Sequence, residues 1–117
     1  MKPFPEDFEL ISFFEQEPDT LDSGVPWFYN TLRFHGCRDG LDYMIEISPA
    51  YGELEIRFGP PTRALVHLSI AEVVAITLED HKDSAVLMAT FSEDSGRGLL
   101  KIRIRPNLGI EWPFERS

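Results

Sequence analysis

The sequence predicts an α+β fold: a single antiparallel, strongly twisted meander sheet of about seven strands, free to curl toward a barrel, with one N-terminal helix packed on a face. Three observations lead there. Large apolar residues recur at helical spacing only near the N-terminus, the period is two from residue 27 onward, and turn signals interrupt the chain at short intervals. Connections this short join antiparallel strands, because a parallel pair needs a crossover of about a dozen residues. A chain of 117 residues is expected to build one core, so residues 1–117 are read as a single domain.

The helix is predicted over residues 5–16. Phe8, Ile11 and Phe14 recur at spacings of three, and Leu10 and Phe13 widen the stripe. Glu6, Asp7 and Glu9 sit at the positive end of the helix dipole, Pro5 suits the first turn, and Pro18 stops the helix. Residues 19–26 have turn chemistry without a period and read as an acidic connecting loop. Strands are expected from 27 to 113. In the first, Phe28, Leu32 and Phe34 alternate with Tyr29, Thr31, Arg33 and His35. Arg38-Asp39-Gly40 then turns the chain into a second strand, with Leu41, Tyr43, Ile45 and Ile47 on one side and Asp42, Met44 and Glu46 on the other.

The pattern repeats after residues 49–52, where Leu54, Ile56 and Phe58 face inward and Glu53, Glu55 and Arg57 face water. A strand over 64–69 follows. From Val73 to Leu78 the β-branched residues favour a strand over a short helix capped at Ser69. Residues 85–91 are apolar on both parities, which places them in the middle of the sheet. Beyond the polar loop 92–98, Leu100, Ile102 and Ile104 alternate with Lys101, Arg103 and Arg105, and Leu108, Ile110 and Trp112 suggest a last short strand. The helix is expected to cover the side of the first strand that carries Trp27, Tyr29 and His35.

Eleven Lys and Arg against twenty Asp and Glu leave a net charge of −9. That balance disfavours nucleic acid and anionic membrane as partners, because both are bound through clustered cations. Residues 1–26 hold −6 of the total, with seven acids against the single base Lys2. An acidic lobe of this kind steers a basic partner at long range. Cys37 is the only cysteine, so no intramolecular disulfide forms and a reducing compartment is expected. The acids at Glu6 and Asp7 interrupt any signal-peptide core, and no apolar run is long enough to span a bilayer, so the expected location is the cytoplasm.

Few constellations carry chemistry. His35 and Cys37 share a strand face, and His67 on another strand would complete a three-ligand metal or catalytic site, without the close ligand spacing that makes a metal motif specific. Arg38 beside Cys37 is the one local hint of a stabilised thiolate. Asp94-Ser95-Gly96-Arg97-Gly98 has glycines but lacks a phosphate-loop lysine, and reads as a hairpin loop. Glu53 and Glu55 share a face turned to water, unsuited to acid–base catalysis. Lys101, Arg103 and Arg105 form a basic row that acids of neighbouring strands are expected to pair.

In size, acidity and lack of a catalytic signature the chain looks like small bacterial cytosolic proteins, among them the immunity proteins that neutralise toxins by binding them. The likeness is of character and covers no specific residues. The expected function is therefore a non-enzymatic acidic protein-interaction module, an immunity-type inhibitor of a basic toxin or nuclease being one instance, with no cofactor and no metal. Its partner face is placed at Glu15, Glu17, Asp19 and Asp22 beside Trp27 and Tyr29. The partner is expected to be a basic protein, with a second copy of the chain as the alternative. Two other readings stand beside it: a binder of small apolar ligands lined by Tyr43, Met44, Met88 and Phe91, and an enzyme or metal protein built on His35, Cys37 and His67.

Overall fold

Alternating apolar residues bury one face of a sheet, and that face must then find a cover. In the computed structural model, which describes residues 4–22, 24–38, 40–60, 65–92 and 97–112, the strands cover one another. The helix α1 (Asp7–Phe14) comes first, then β1 (Asp19–Thr20), a 3₁₀ turn at Trp27–Tyr29, β2 (Leu32–Arg38) and β3 (Leu41–Ser48). A second 3₁₀ turn at Pro49–Tyr51 leads to β4 (Glu53–Gly59), β5 (Val66–Ile70), β6 (Val73–Asp80), β7 (Ala85–Phe91), β8 (Leu100–Arg105) and β9 (Gly109–Glu111). All pairings are antiparallel, in a larger sheet ordered β1-β2-β3-β4-β5 and a smaller one ordered β6-β7-β8-β9.

The α+β class, the antiparallel strands and the single N-terminal helix agree with the sequence reading; the single sheet of seven strands becomes two sheets of five and four. The strip divides at a corner of two residues, Ala71 and Glu72. Glu72 adopts the left-handed conformation at φ 62°, and the Val73 N–H then donates to the Gly52 carbonyl at 2.9 Å, so β6 leaves β5 and pairs with β7. Folding the strip on itself lets each sheet hide the apolar face of the other. Phe34, Ile45, Ile56 and Ile70 of the larger sheet and Ile76, Leu87, Ile102 and Ile104 of the smaller one belong to one buried cluster. As expected, β7 is internal to its sheet.

Gly52 sits where the second 3₁₀ turn passes this corner. Its φ is +64°, and an added Cβ would stand 2.7 Å from the Val73 carbonyl oxygen. Gly52→Ala is expected to destabilise the fold by more than about 1 kcal/mol. The measurement is the urea midpoint, which should fall at unchanged slope; an unchanged midpoint would contradict the corner contact.

The helix is shorter than predicted and docks elsewhere. Glu6 and Glu9 form a reciprocal capping box at its start, and Glu15 ends it in the left-handed conformation at φ 58°. Leu10, Phe13 and Phe14 are buried in the shared core, while Phe8 lies on the opposite side and stays exposed. Phe14 stacks on Phe34 with centroids 4.2 Å apart. The helix therefore covers the inner side of β2, and the side carrying His35 and Arg33 is left open.

Two further boundaries differ for local reasons. The stretch 27–31 is a turn and not the start of β2, because Asn30 is buried and ties the loop. Its amide donates to the carbonyls of Asp22 and Val25, and its Oδ1 accepts from the N–H groups of Asp22 and Thr31. The loop 19–26 contributes Asp19 and Thr20 as a short edge strand on β2. Just beyond it the Gln16 side chain imitates a strand, donating to the His35 carbonyl at 2.6 Å and accepting from its N–H at 3.0 Å. Of the expected features, Asp39, Ala64, Asp94 to Gly96 and Pro113 lie outside the described residues.

Candidate functional site

Register turns alternation into a surface. Across the outer face of the larger sheet, Asp19, Arg33, Glu46, Glu55 and Ser69 fall in one cross-strand row. One side of that row carries His35, Met44, Arg57 and His67. On the other, Ser48 is in register with Glu53, and its Oγ lies 2.9 Å from the Thr31 Oγ1. Since α1 packs on the inner side of β2, this face has no helix over it.

A cleft of about 520 Å³ opens here, lined by Asp19, Thr20, Leu21, Thr31, Arg33, Glu46, Ser48, Glu53, Leu54, Glu55, Ser69, Ile70 and Ala71. Its charged groups are four carboxylates and a single guanidinium. Arg33 holds Glu46, with Nε at 2.7 Å and Nη2 at 2.5 Å from Oε1. Glu55 Oε1 lies 2.7 Å from His67 Nε2 and 3.4 Å from Arg57 Nη2. Asp19 faces His35 at 3.4 Å. Among the described residues Glu53 has no ion pair. Pairs that solvent reaches contribute only about 0–1 kcal/mol each, so an incoming cation can displace the cationic member at little cost. Such a floor suits the side chains of a basic macromolecule.

The six residues expected to form the partner face do not gather there. Asp19 lines the cleft, next to the exposed Leu21. Asp22 uses its carboxylate to accept from the Gly24 N–H within the loop. Glu15 is turned to the other side of the molecule, where it meets Arg105 of β8 at 3.4 Å. Glu17 is exposed, Tyr29 is exposed, and Trp27 is half-buried against the core. Arg33, Glu46, Glu53 and Glu55 complete the cleft. Their outward parity was readable; that β1 to β4 bring Asp19, Arg33, Glu46 and Glu55 into one row, with Glu53 beside it, was not.

The proposed His35, Cys37 and His67 site does not form. His35 and His67 lie in the same row but on β2 and β5, with β3 and β4 between them. Three strand spacings separate their backbones by about 14 Å. Each imidazole instead faces a carboxylate, and among the described residues no three His, Cys, Asp or Glu side chains are placed to hold an ion. The apolar pocket fails for a similar reason. Tyr43 and Phe91 point into the core, whereas Met44 and Met88, each next to an inward residue, belong to the outer faces of different sheets, so the four do not line one cavity. The basic row was expected to pair with acids of neighbouring strands, and among the described residues only Arg105, through Asp80 of β6, does so. Arg105 bonds Asp80 and Glu15, Arg103 donates to Asn107, and Lys101 stands opposite Glu111.

On the inner side of the same sheet, burial raises the Tyr43 phenol above the ordinary tyrosine value of 10.0, with Arg38 opposing the shift and Glu15 adding to it. Gly36 stands opposite Tyr43, and a Cβ there would come within 2.8 Å of the ring. The fold favours the neutral phenol. Its contribution to stability is therefore fully present below the unfolded value and is lost as pH rises through the raised folded one. Tyr43→Phe is expected to flatten the decline in stability above about pH 10 while changing little near neutrality. Urea unfolding of both proteins across that range is the check, and parallel declines would contradict it.

No family model matches the chain, and no curated protein matches it. Among solved structures the chain is similar to a chain of the contact-dependent growth inhibition toxin–immunity protein complex from Klebsiella pneumoniae 342. The TM-score is 0.80 at 21% identity, over 96% of this chain and 96% of that one. The two share a fold, a helix with two antiparallel sheets. Among the described residues no helix is long and apolar enough to cross a membrane.

Proposed function

We propose that this protein is a non-enzymatic interaction module of the immunity type, which neutralises a basic toxin or nuclease in the cytoplasm by covering its cationic surface with the outer face of the larger sheet. The observation that carries the reading is the cleft on that face, where Asp19, Glu46, Glu53 and Glu55 outnumber Arg33 and no helix intervenes. The net charge of −9 extends the same complementarity over the whole molecule and favours fast, salt-sensitive association with a basic surface. The fold likeness supports it from another direction, since the similar structure is itself a toxin–immunity complex. The distance of His67 from His35 and Cys37 weighs against the strongest enzymatic alternative.

The test has two stages. Tagged protein recovered from its own host at low salt is expected to bring down a basic polypeptide that high salt releases. That polypeptide, expressed alone, should arrest growth, and co-expression of this chain should restore it. A captured polypeptide that is harmless alone, or whose toxicity this chain leaves unchanged, would contradict the immunity role.

A further inference from the structure

Tyr29 and Tyr51 are among the most exposed large side chains of the fold, at 63% and 70%, although the rings near Tyr29 in sequence, Trp27 and Phe28, are half-buried. Both sit on 3₁₀ turns, and the two turns lie against each other. Neither ring lines the cleft, but both flank it along the chain. Tyr29 precedes the cleft residue Thr31 by two positions, Tyr51 precedes the cleft residue Glu53 by two, and the Thr31 and Ser48 hydroxyls join the two segments at 2.9 Å.

Their supports are rigid. Buried Asn30 fastens the loop behind Tyr29 through hydrogen bonds to Asp22, Val25 and Thr31, and Phe28 packs edge-on against the Tyr29 ring with centroids 5.3 Å apart. Gly52 closes the turn after Tyr51, its N–H donating to the Pro49 carbonyl at 3.2 Å. A ring held out on a fixed backbone loses little freedom when it is covered, which is why tyrosine is favoured as an interface anchor.

We infer that Tyr29 and Tyr51 form an aromatic gate at the Glu53 end of the cleft that seats an arginine side chain of the basic partner, its guanidinium stacked on the rings and bonded to Glu53. This rests on the reading of the cleft as the partner face and specifies what enters it. Glu46 and Glu55 already hold cations of this chain, whereas Glu53 has none among the described residues, so its carboxylate is the open acceptor of the cleft, two positions along the chain from Tyr51. A planar guanidinium stacks on an aromatic face and binds a carboxylate through two parallel bonds, which an ammonium cannot do. A second copy of the chain is a poor occupant, because a net charge of −9 would set like charges face to face.

The experiment is an NMR titration of the intact protein with a tetra-arginine peptide, with tetra-lysine in parallel. Tetra-arginine is expected to shift the ring resonances of Tyr29 and Tyr51 together with the Glu53 amide, and to do so more strongly than tetra-lysine. Tyr29→Ala and Tyr51→Ala should each weaken its binding about 2-fold to 5-fold, and Tyr→Phe at either position should preserve it. Both rings are exposed, so an unchanged spectrum of the core amides verifies that the variants fold. If the Glu46 and Glu55 amides shift while the rings stay silent and the alanine variants bind as well as the parent, the gate is overturned and the cleft reading survives. An equal response to tetra-lysine would overturn the assignment to arginine. If no residue of the cleft responds to either peptide, the cleft reading falls, and the gate with it.

Discussion

Reversing two charges in the cleft, Glu53→Lys with Glu55→Lys, is expected to weaken partner binding by roughly 100-fold or more while the fold persists. Both side chains stand on the outer face of β4, so neither substitution touches the core. Each places a cation where the cations of the proposed basic partner would come, and like charges juxtaposed in an interface cost several kcal/mol. Most of the effect on encounter should appear in the association rate at low ionic strength and shrink as salt shortens the Debye length from about 8 Å to about 3 Å. Glu79→Lys with Glu111→Lys, an equal charge change at exposed positions of the smaller sheet, is the control and should leave affinity nearly unchanged. Surface plasmon resonance over a salt series measures all three proteins. Equal losses for the control and the cleft variant would mean that only net charge matters and that the cleft has no special part.

Phe34→Ala should produce the largest loss of stability, about 3–5 kcal/mol, from a total that for a domain of this size is about 5–15 kcal/mol. The ring is fully buried and stacks on Phe14 with planes 15° apart, so its removal deletes both an inward residue of β2 and the surface against which α1 docks. Urea unfolding followed by far-ultraviolet circular dichroism is the measurement. Phe8→Ala, on the exposed side of the helix, should stay within about 0.5 kcal/mol of the parent. Comparable losses for the two would show that α1 does not seat on β2 as described.

That helix shows where reading a sequence stops. Its apolar stripe, its acidic start and its end before Pro18 were all legible, because spacing and capping are local properties. Which side of β2 it covers was not, because Phe14 and Phe34 are separated by the whole connecting loop and either parity of β2 offered large residues. The expectation that α1 hides the side of Tyr29 and His35 was therefore reversed, and with it the accessibility of the larger sheet's outer face. The position of β7 inside its sheet was legible, since Val86 and Met88 are apolar on the parity that elsewhere is charged. The division into two sheets was not, because it turns on Glu72, a residue with no special tolerance for the left-handed conformation it adopts.

The same limit governs the candidate site. Outward-facing Arg33, Glu46, Glu53 and Glu55 follow from period-two alternation, and each alone reads as a solvated surface charge. Their meaning comes from register, which sets Asp19 of the acidic loop opposite Arg33 and carries the row through Glu46 and Glu55 to Ser69. Acidity concentrated before residue 26 drew attention to Glu15 and Asp22. Folding sends Glu15 to Arg105 and spends the Asp22 carboxylate on its own loop, so Asp19 is the acid of that segment that reaches the cleft.

Carboxyl footprinting of the protein, free and bound to the partner proposed above, tests the account most directly, because carbodiimide labelling reads the accessibility of each acid separately. Asp19, Glu53 and Glu55 should lose most of their labelling on binding, while Glu79 and Glu111 on the smaller sheet keep theirs. Protection of the smaller sheet's acids with the cleft still open to reagent would contradict it.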